Sequence, residues 1–253
     1  MEKYLSSNHF QFQEGKAAQS INTLRAAMEL VYPRERPLVA IDVEAWERSL
    51  SKVTEIGIVV YDPDQLQGSI FPVITPIHII IKENIKKVNG RFVPDNKHKY
   101  LGGTSYVLTF LESRQLVDQI VTKYITKRQG ALVGHNLSGD IKWIKSIGVE
   151  LPESVPSVDT FQLYGLSRST GATLRGVLRL ANIPHGILHN AANDAYYTLV
   201  AAMAFCDPEV RKHQQLDVYK ELEAKLKYQK RQEKFTDSAR LEEDGSELFE
   251  MFR

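Results

Sequence analysis

Leu38-Val39-Ala40-Ile41-Asp42-Val43-Glu44 is the stretch on which the fold turns. Its four leading apolar residues read as a buried strand, and its end carries two carboxylates. Residues two apart on a strand point to one face, so Asp42 and Glu44 lie side by side. Neighbouring carboxylates repel and raise each other's pKa unless a cation neutralises them. Placing them at the end of an apolar strand is costly without such a partner. A metal site explains the pair; an exposed strand end with two solvated acids explains it as well.

Outward from this strand, residues 53–61 are rich in β-formers and run into a turn at Asp62-Pro63-Asp64, and residues 77–81 supply a third strand. Short links predict an antiparallel meander. Upstream, residues 1–36 are polar, with one helical stripe on Ile21, Leu24, Ala27, Met28 and Val31 that Pro33 and Pro37 end. Downstream, residues 82–103 are basic (Lys82, Lys86, Lys87, Arg91, Lys97, Lys99), without apolar periodicity, and close on Gly102-Gly103. A loop that long is functional or disordered. An amphipathic helix at 111–127 follows, then a strand at 131–133, a helix at 138–147, a strand near 155–158, and helices near 160–166, 173–181 and 191–205. Strands first, then alternating helix and strand, is the pattern of a mixed-sheet α/β domain with helices on both faces. The expected organisation is a helical, polar extension at 1–36, a catalytic domain at 37–207, a charged helix at 208–235 with Leu216, Tyr219, Leu222 and Leu226 as its apolar positions, and an acidic tail at 236–253. Solvated ends are the plain reading of the last two; docking onto the same domain or onto a second copy in a homodimer is the other.

Composition narrows the class. With 253 residues, 43% hydrophobic and 25% charged, the chain is ordinary for a globular protein, and its net charge of +1 creates no global pull on nucleic acid. The lone Cys206 sits in an apolar helical run, which makes it a buried small hydrophobe and points to a reducing, intracellular compartment. No apolar run reaches the length of about 18 residues that a membrane helix needs, so no membrane contact is expected. The first residues do not read as a secretory signal or a transit peptide.

Two further stretches bear on chemistry. Gly134-His135-Asn136-Leu137-Ser138-Gly139-Asp140 follows a buried strand and opens a helix, with Ser138 as the expected N-cap and Asp140 in the first turn, where the helix dipole favours an anion. A simple capping acid is the alternative for Asp140. His189-Asn190-Ala191-Ala192-Asn193-Asp194 precedes an apolar helix. Five residues of separation put His189 on the lead-in turn and Asp194 on the first turns, where the acid can ligate a metal and the imidazole can take a proton from water. Four carboxylates and one imidazole, with no thiol or ammonium, suit hard cations and two-metal phosphodiester cleavage.

The order, spacing and local structure of these stretches resemble the DEDDh family of 3′→5′ exonucleases over about residues 37–206, and most of all a poorly characterised fungal branch. Asp42 and Glu44 match its first motif, Asp140 its second, and His189 with Asp194 its third. Thr54-Glu55-Ile56-Gly57 is similar to the family's second strand, and Val158-Asp159-Thr160 to its Asp-Thr, although a plain helix cap explains Asp159 equally well. The resemblance implies a ribonuclease H-like fold with a five-stranded mixed sheet and two Mg²⁺ or Mn²⁺ ions. Asp42, Glu44 and Asp194 would hold one ion, Asp42 with Asp140 the other, and His189 would be the general base. Substrate contacts are expected at Ala45, Trp46, His135 and Asn136. The family often has small or hydroxyl residues after Asp-x-Glu, whereas Ala45-Trp46-Glu47 follow here; Trp46 either stacks on a base or packs against the core.

The expected partner is single-stranded nucleic acid with a free 3′ end, RNA or DNA. Residues 82–99, with Lys142, Lys145, Arg175 and Arg179, are candidates to track its phosphates. A catalytically inactive adaptor on the same fold and a phosphodiesterase on a small nucleotide stay open as rivals.

Overall fold

The computed structural model describes residues 1–66 and 73–221; the expectations for residues beyond 221, half of the charged helix and all of the acidic tail, lie outside the described residues. Long apolar runs become the strands β1 (Leu38–Trp46), β2 (Ser49–Tyr61) and β3 (Ile74–Ile81), which form the expected antiparallel meander. β5 (Ala131–Gly134) adds parallel to β1, and β6 (Ser157–Asp159) parallel to β5. The expected five strands are joined by a sixth, β4 (Ser105–Leu108), which pairs parallel with β3 and gives the order β4-β3-β2-β1-β5-β6. Being an edge strand, β4 leaves Tyr106 and Val107 exposed, so it lacks the apolar run that announces a buried strand.

The helices flank both faces, as the pattern predicts. Even-numbered positions of β1 (Leu38, Ala40) pack with α2 (Ala17–Val31), α5 (Thr160–Gly165), α6 (Leu174–Leu180) and α7 (Ala191–Phe205). Odd-numbered positions (Val39, Ile41, Val43) pack with α3 (Phe110–Ile120), its π-helical continuation Val121–Thr126, and α4 (Ser138–Ser146). Strand alternation therefore aims Asp42 and Glu44 at the layer that contains α7. Cys206 is buried at the end of α7, and burial pushes its thiol up to about 12.

Residues 1–36 are more than a polar extension. Besides α2, the short α1 (Glu2–Leu5) contributes Tyr4 and Leu5 to the core. The charged helix expected from 208 ends early: α8 spans Pro208–His213, Gln215 turns left-handed at φ 51°, and Leu216 is buried beneath it. Arg211 fixes that reversal, because its buried guanidinium donates to Asp217, Tyr4 Oη, and the Phe205 and Leu216 carbonyls. No described helix is long and apolar enough to cross a membrane.

Candidate metal centre

The site assembles where β1 outruns its parallel neighbour. β5 stays paired with β1 only through Ala40↔Val133, and beyond that point the Val43 N–H donates to Asp140 Oδ1 at 3.0 Å. Asp140, in the first turn of α4, thus completes the strand's hydrogen bonding from the side while standing beside Asp42. α4 starts there because Asp159, from β6, accepts the Asn136 and Leu137 N–H groups at 2.9 and 3.1 Å and also caps α5 through Phe161. The expected Ser138 cap is not formed: Ser138 lies inside the helix and makes no capping bond. Asp159 is a helix cap, twice over.

Asp194 arrives on α7. Its N-cap is Asn190, whose side chain accepts the Asn193 N–H, and the preceding His189 is left-handed at φ 59°, as a lead-in turn requires. The His189 backbone N–H donates to both Asp194 oxygens at 3.1 and 3.2 Å, which ties the turn to the carboxylate. Close approach of the helix to the sheet depends on Gly57, directly opposite Asp42 on β2: a Cβ there would sit 2.0 Å from the Ala191 carbonyl oxygen. Only glycine fits.

Glu44, His189 and Asp194 each offer a ligand atom within 4.8 Å of the others. Asp42 feels Asp194, Asp140 and Glu44; burial first, and then these charges, hold its carboxyl well above the usual range. Glu44 is raised in the same way by burial, Asp194, Glu55, Asp140 and Asp95. Asp140 is pushed up to about 7, chiefly by burial, against the Val43 N–H bond that pulls it down. All five sequence-predicted positions therefore converge. Carboxyls raised first by burial and then by one another's charge fit a divalent cation, which would offset both costs.

The expected substrate contacts fare differently. His135 is engaged internally: Nε2 donates to the Ala172 carbonyl at 2.8 Å, Nδ1 meets Thr160 Oγ1 at 3.0 Å, and burial pulls its pKa down. It is a strut between β5 and the following helices. Ala45 is buried, and its carbonyl accepts from Asn89 Nδ2. Trp46 is half-buried with its indole N–H on the Val88 carbonyl at 3.2 Å. Of the four, Asn136 alone is exposed, at φ 63°.

Two features escape sequence reasoning. Glu55, in the stretch that resembles the second strand, is a buried acceptor for His78 Nε2 at 3.0 Å, Asn190 Nδ2 at 3.3 Å and the Ala191 N–H at 3.4 Å, so it braces the start of α7 from beneath. Residues 82–103, expected as a functional or disordered loop, are stitched to both β1 and α7. Toward β1, Asn89 bonds Ala45 and Glu47, and the Glu47 carboxylate accepts the Gly90, Arg91 and Phe92 N–H groups. Toward α7, Asn96 Nδ2 donates to the Leu188 carbonyl, Asn193 Nδ2 to the Lys99 carbonyl, and Leu101 N–H to Asn193 Oδ1. Lys97 is not an available cation: it is 2% exposed and donates to the Lys87 carbonyl beside Asp95.

Known proteins match the same stretch of chain. The family model described as DEDDh_C, DNA polymerase III subunit epsilon-like, C-terminal domain, matches residues 37–205. Over 223 residues the chain is 35% identical to the Saccharomyces cerevisiae protein "Good for full DBP5 activity protein 2", covering 77% of this chain and 39% of that protein. It is 30% identical over 169 residues to the Schizosaccharomyces pombe "Uncharacterized nucleolar protein C2C4.08", covering 63% of this chain and 65% of that one. The chain thus spans well under half the length of the first of these relatives. Among solved structures, the nuclease domain of 3′hExo, described as a DEDDh family member bound to rAMP, aligns over 72% of this chain and 93% of its own at 14% identity, with a TM-score of 0.47.

Proposed function

The chain belongs to the DEDDh family of DNA polymerase III subunit epsilon-like domains, and on that premise we propose that it is a 3′→5′ exonuclease. Its substrate is single-stranded nucleic acid with a free 3′ end, its products are nucleoside 5′-monophosphates, and its cofactor is Mg²⁺ or Mn²⁺. The observation that carries this reading is the convergence of Asp42, Glu44, Asp140 and Asp194 with His189 in one partly buried acidic cluster. Asp42, Glu44 and Asp194 would hold one cation and Asp42 with Asp140 the other; such a pair stabilises the attacking and leaving oxygens of an in-line displacement. His189 supplies the base. Its turn is fixed by the bond to Asp194, and a neutral imidazole can take the proton of the attacking water. Asn136, exposed beside Asp140, and Trp46, next to Glu44, are the residues that contact the terminal nucleotide, whereas Ala45 and His135 act through packing.

Incubation with 3′- and 5′-labelled single-stranded RNA and DNA, with Mg²⁺, Mn²⁺ or EDTA, tests the reading. Stepwise shortening from the 3′ end, absent in EDTA and in Asp42→Asn, is the expected result. Hydrolysis that survives EDTA, or cutting of a closed circular single strand, would overturn it. Binding without any hydrolysis would identify an adaptor.

A further inference from the structure

We propose that residues 86–101 form a rigid stacking platform that delivers single-stranded nucleic acid to the metal centre, an inference that rests on the nuclease reading above. The platform's backbone is held at both ends. Glu47 cradles the Gly90–Phe92 turn, and those three N–H groups, that of Phe92 foremost, hold its carboxyl pKa below the usual range. Asn96 and Asn193 hold the other end against α7. A segment this well tied could turn its apolar side chains inward, yet Val88 and Phe92 are each 63% exposed, and Leu101 is exposed as well. Apolar side chains displayed on a fixed backbone mark a surface that meets a partner.

Charge identifies the partner. The one acid of the segment, Asp95, accepts from Asn89 and pairs with Lys97, and the adjoining Glu47 is bonded as described. Lys86, Arg91 and Lys99 face solvent. The cations are interleaved with rings: Lys87 Nζ lies 4.6 Å from the Trp46 centroid, and Arg91 Cζ lies 5.0 Å from that of Phe92. Alternating rings and cations match a chain whose bases offer π-faces and whose backbone is an anion. The position also fits. Trp46 is two residues beyond Glu44 on β1, and Asp95 is close enough to Glu44 to act on its carboxyl, so a strand lying here continues into the acids.

The test is fluorescence anisotropy of the full chain with a single-stranded dodecamer and with a dinucleotide, in EDTA so that no hydrolysis intervenes. Lys86→Gln with Arg91→Gln should lower the log–log salt slope by about 1.4, since each phosphate left without its cation takes away about 0.7. Phe92→Ala should weaken dodecamer binding about tenfold, the scale of removing one base–ring stack. The affinity gained on lengthening the dinucleotide to the dodecamer should largely disappear in the triple variant. Should that variant melt early, Lys86→Gln with Lys99→Gln is the second probe, with the same change of slope expected. A salt slope and length dependence equal to those of the wild type, in folded variants, would overturn the platform and leave a protein-docking face instead. Failure of the wild type to hydrolyse any strand sinks the nuclease reading without touching this binding measurement.

Discussion

Replacing Asp140 by Asn should make the metal-free protein more stable, and only at high pH. The Asp140 carboxyl is pushed from its ordinary 3.8 to about 7, chiefly because it is buried. A difference of about 3 units corresponds to about 4 kcal/mol between the two protonation states. The sign follows from linkage: between about pH 4 and pH 7 the native state keeps a proton that the unfolded chain has lost, so stability falls as pH rises through that window. Above it the full cost of the buried charge is present. Asp140→Asn removes the charge and keeps an oxygen for the Val43 N–H. Asp42 and Glu44, raised by burial first and by neighbouring charges second, share the site, so the isolated figure is an upper bound. A gain of about 2 kcal/mol at pH 8 is the working figure, or about 4–8 °C in Tm for a domain of this size. At pH 5, where the wild-type acid holds its proton, the two proteins should melt together. Thermal melts in EDTA at the two pH values measure this directly. Saturating Mg²⁺ or Mn²⁺ at pH 8 should then raise the wild type more than the variant, since the cation needs the charge that Asn lacks. A variant that melts with the wild type at pH 8, or below it, would refute the claim that the acids strain the empty site.

Two further substitutions probe the same centre. His189→Ala should cut the hydrolysis rate by about 10²- to 10⁴-fold while leaving strand affinity in EDTA intact; a rate within a few-fold of wild type removes His189 from the role of base. Gly57→Ala places a Cβ 2.0 Å from the Ala191 carbonyl oxygen, so it should destabilise the fold by about 1–3 kcal/mol and depress the rate further by displacing Asp194. A wild-type melt would mean that α7 does not rest on β2 at this point.

How far the sequence could be read depended on whether a residue's partner was near it in the chain. β1, β2 and α7 were legible because apolar runs and their breaks are local signals, and the five acid and imidazole positions were legible because each sits at such a break. What failed was set by distant partners. Ser138 looked like a cap, but the acceptor that starts α4 is Asp159, on another strand. Lys97 was a candidate to track phosphates, but the fold buries it within residues 82–103. The charged stretch after Pro208 had helical spacing, yet the buried Arg211 and its bonds to Tyr4 and Asp217 stop the helix at His213. Ala45-Trp46-Glu47, a departure from the small residues expected after Asp-x-Glu, finds its reason in the same segment. Those three residues anchor residues 88–92, so the end of β1 serves as a footing for the insert.

The chemistry at the site follows from a mismatch of lengths. β1 continues past its parallel neighbour, and the bare stretch offers a backbone N–H that needs an acceptor and a face that needs covering. Asp140 meets the first need and α7, admitted by Gly57, meets the second; each brings a carboxylate with it. Glu55 shows what happens to an acid in the same place that is given other partners. It lies opposite Glu44 on β2 and acts on both Asp42 and Glu44, but its oxygen is taken up by His78, Asn190 and Ala191. A carboxylate so engaged holds the helix and is no longer open to a metal. The division between acids left open to a cation and an acid that braces is therefore made by hydrogen-bond donors from β3 and α7, and it can be read only once those elements are folded against β2.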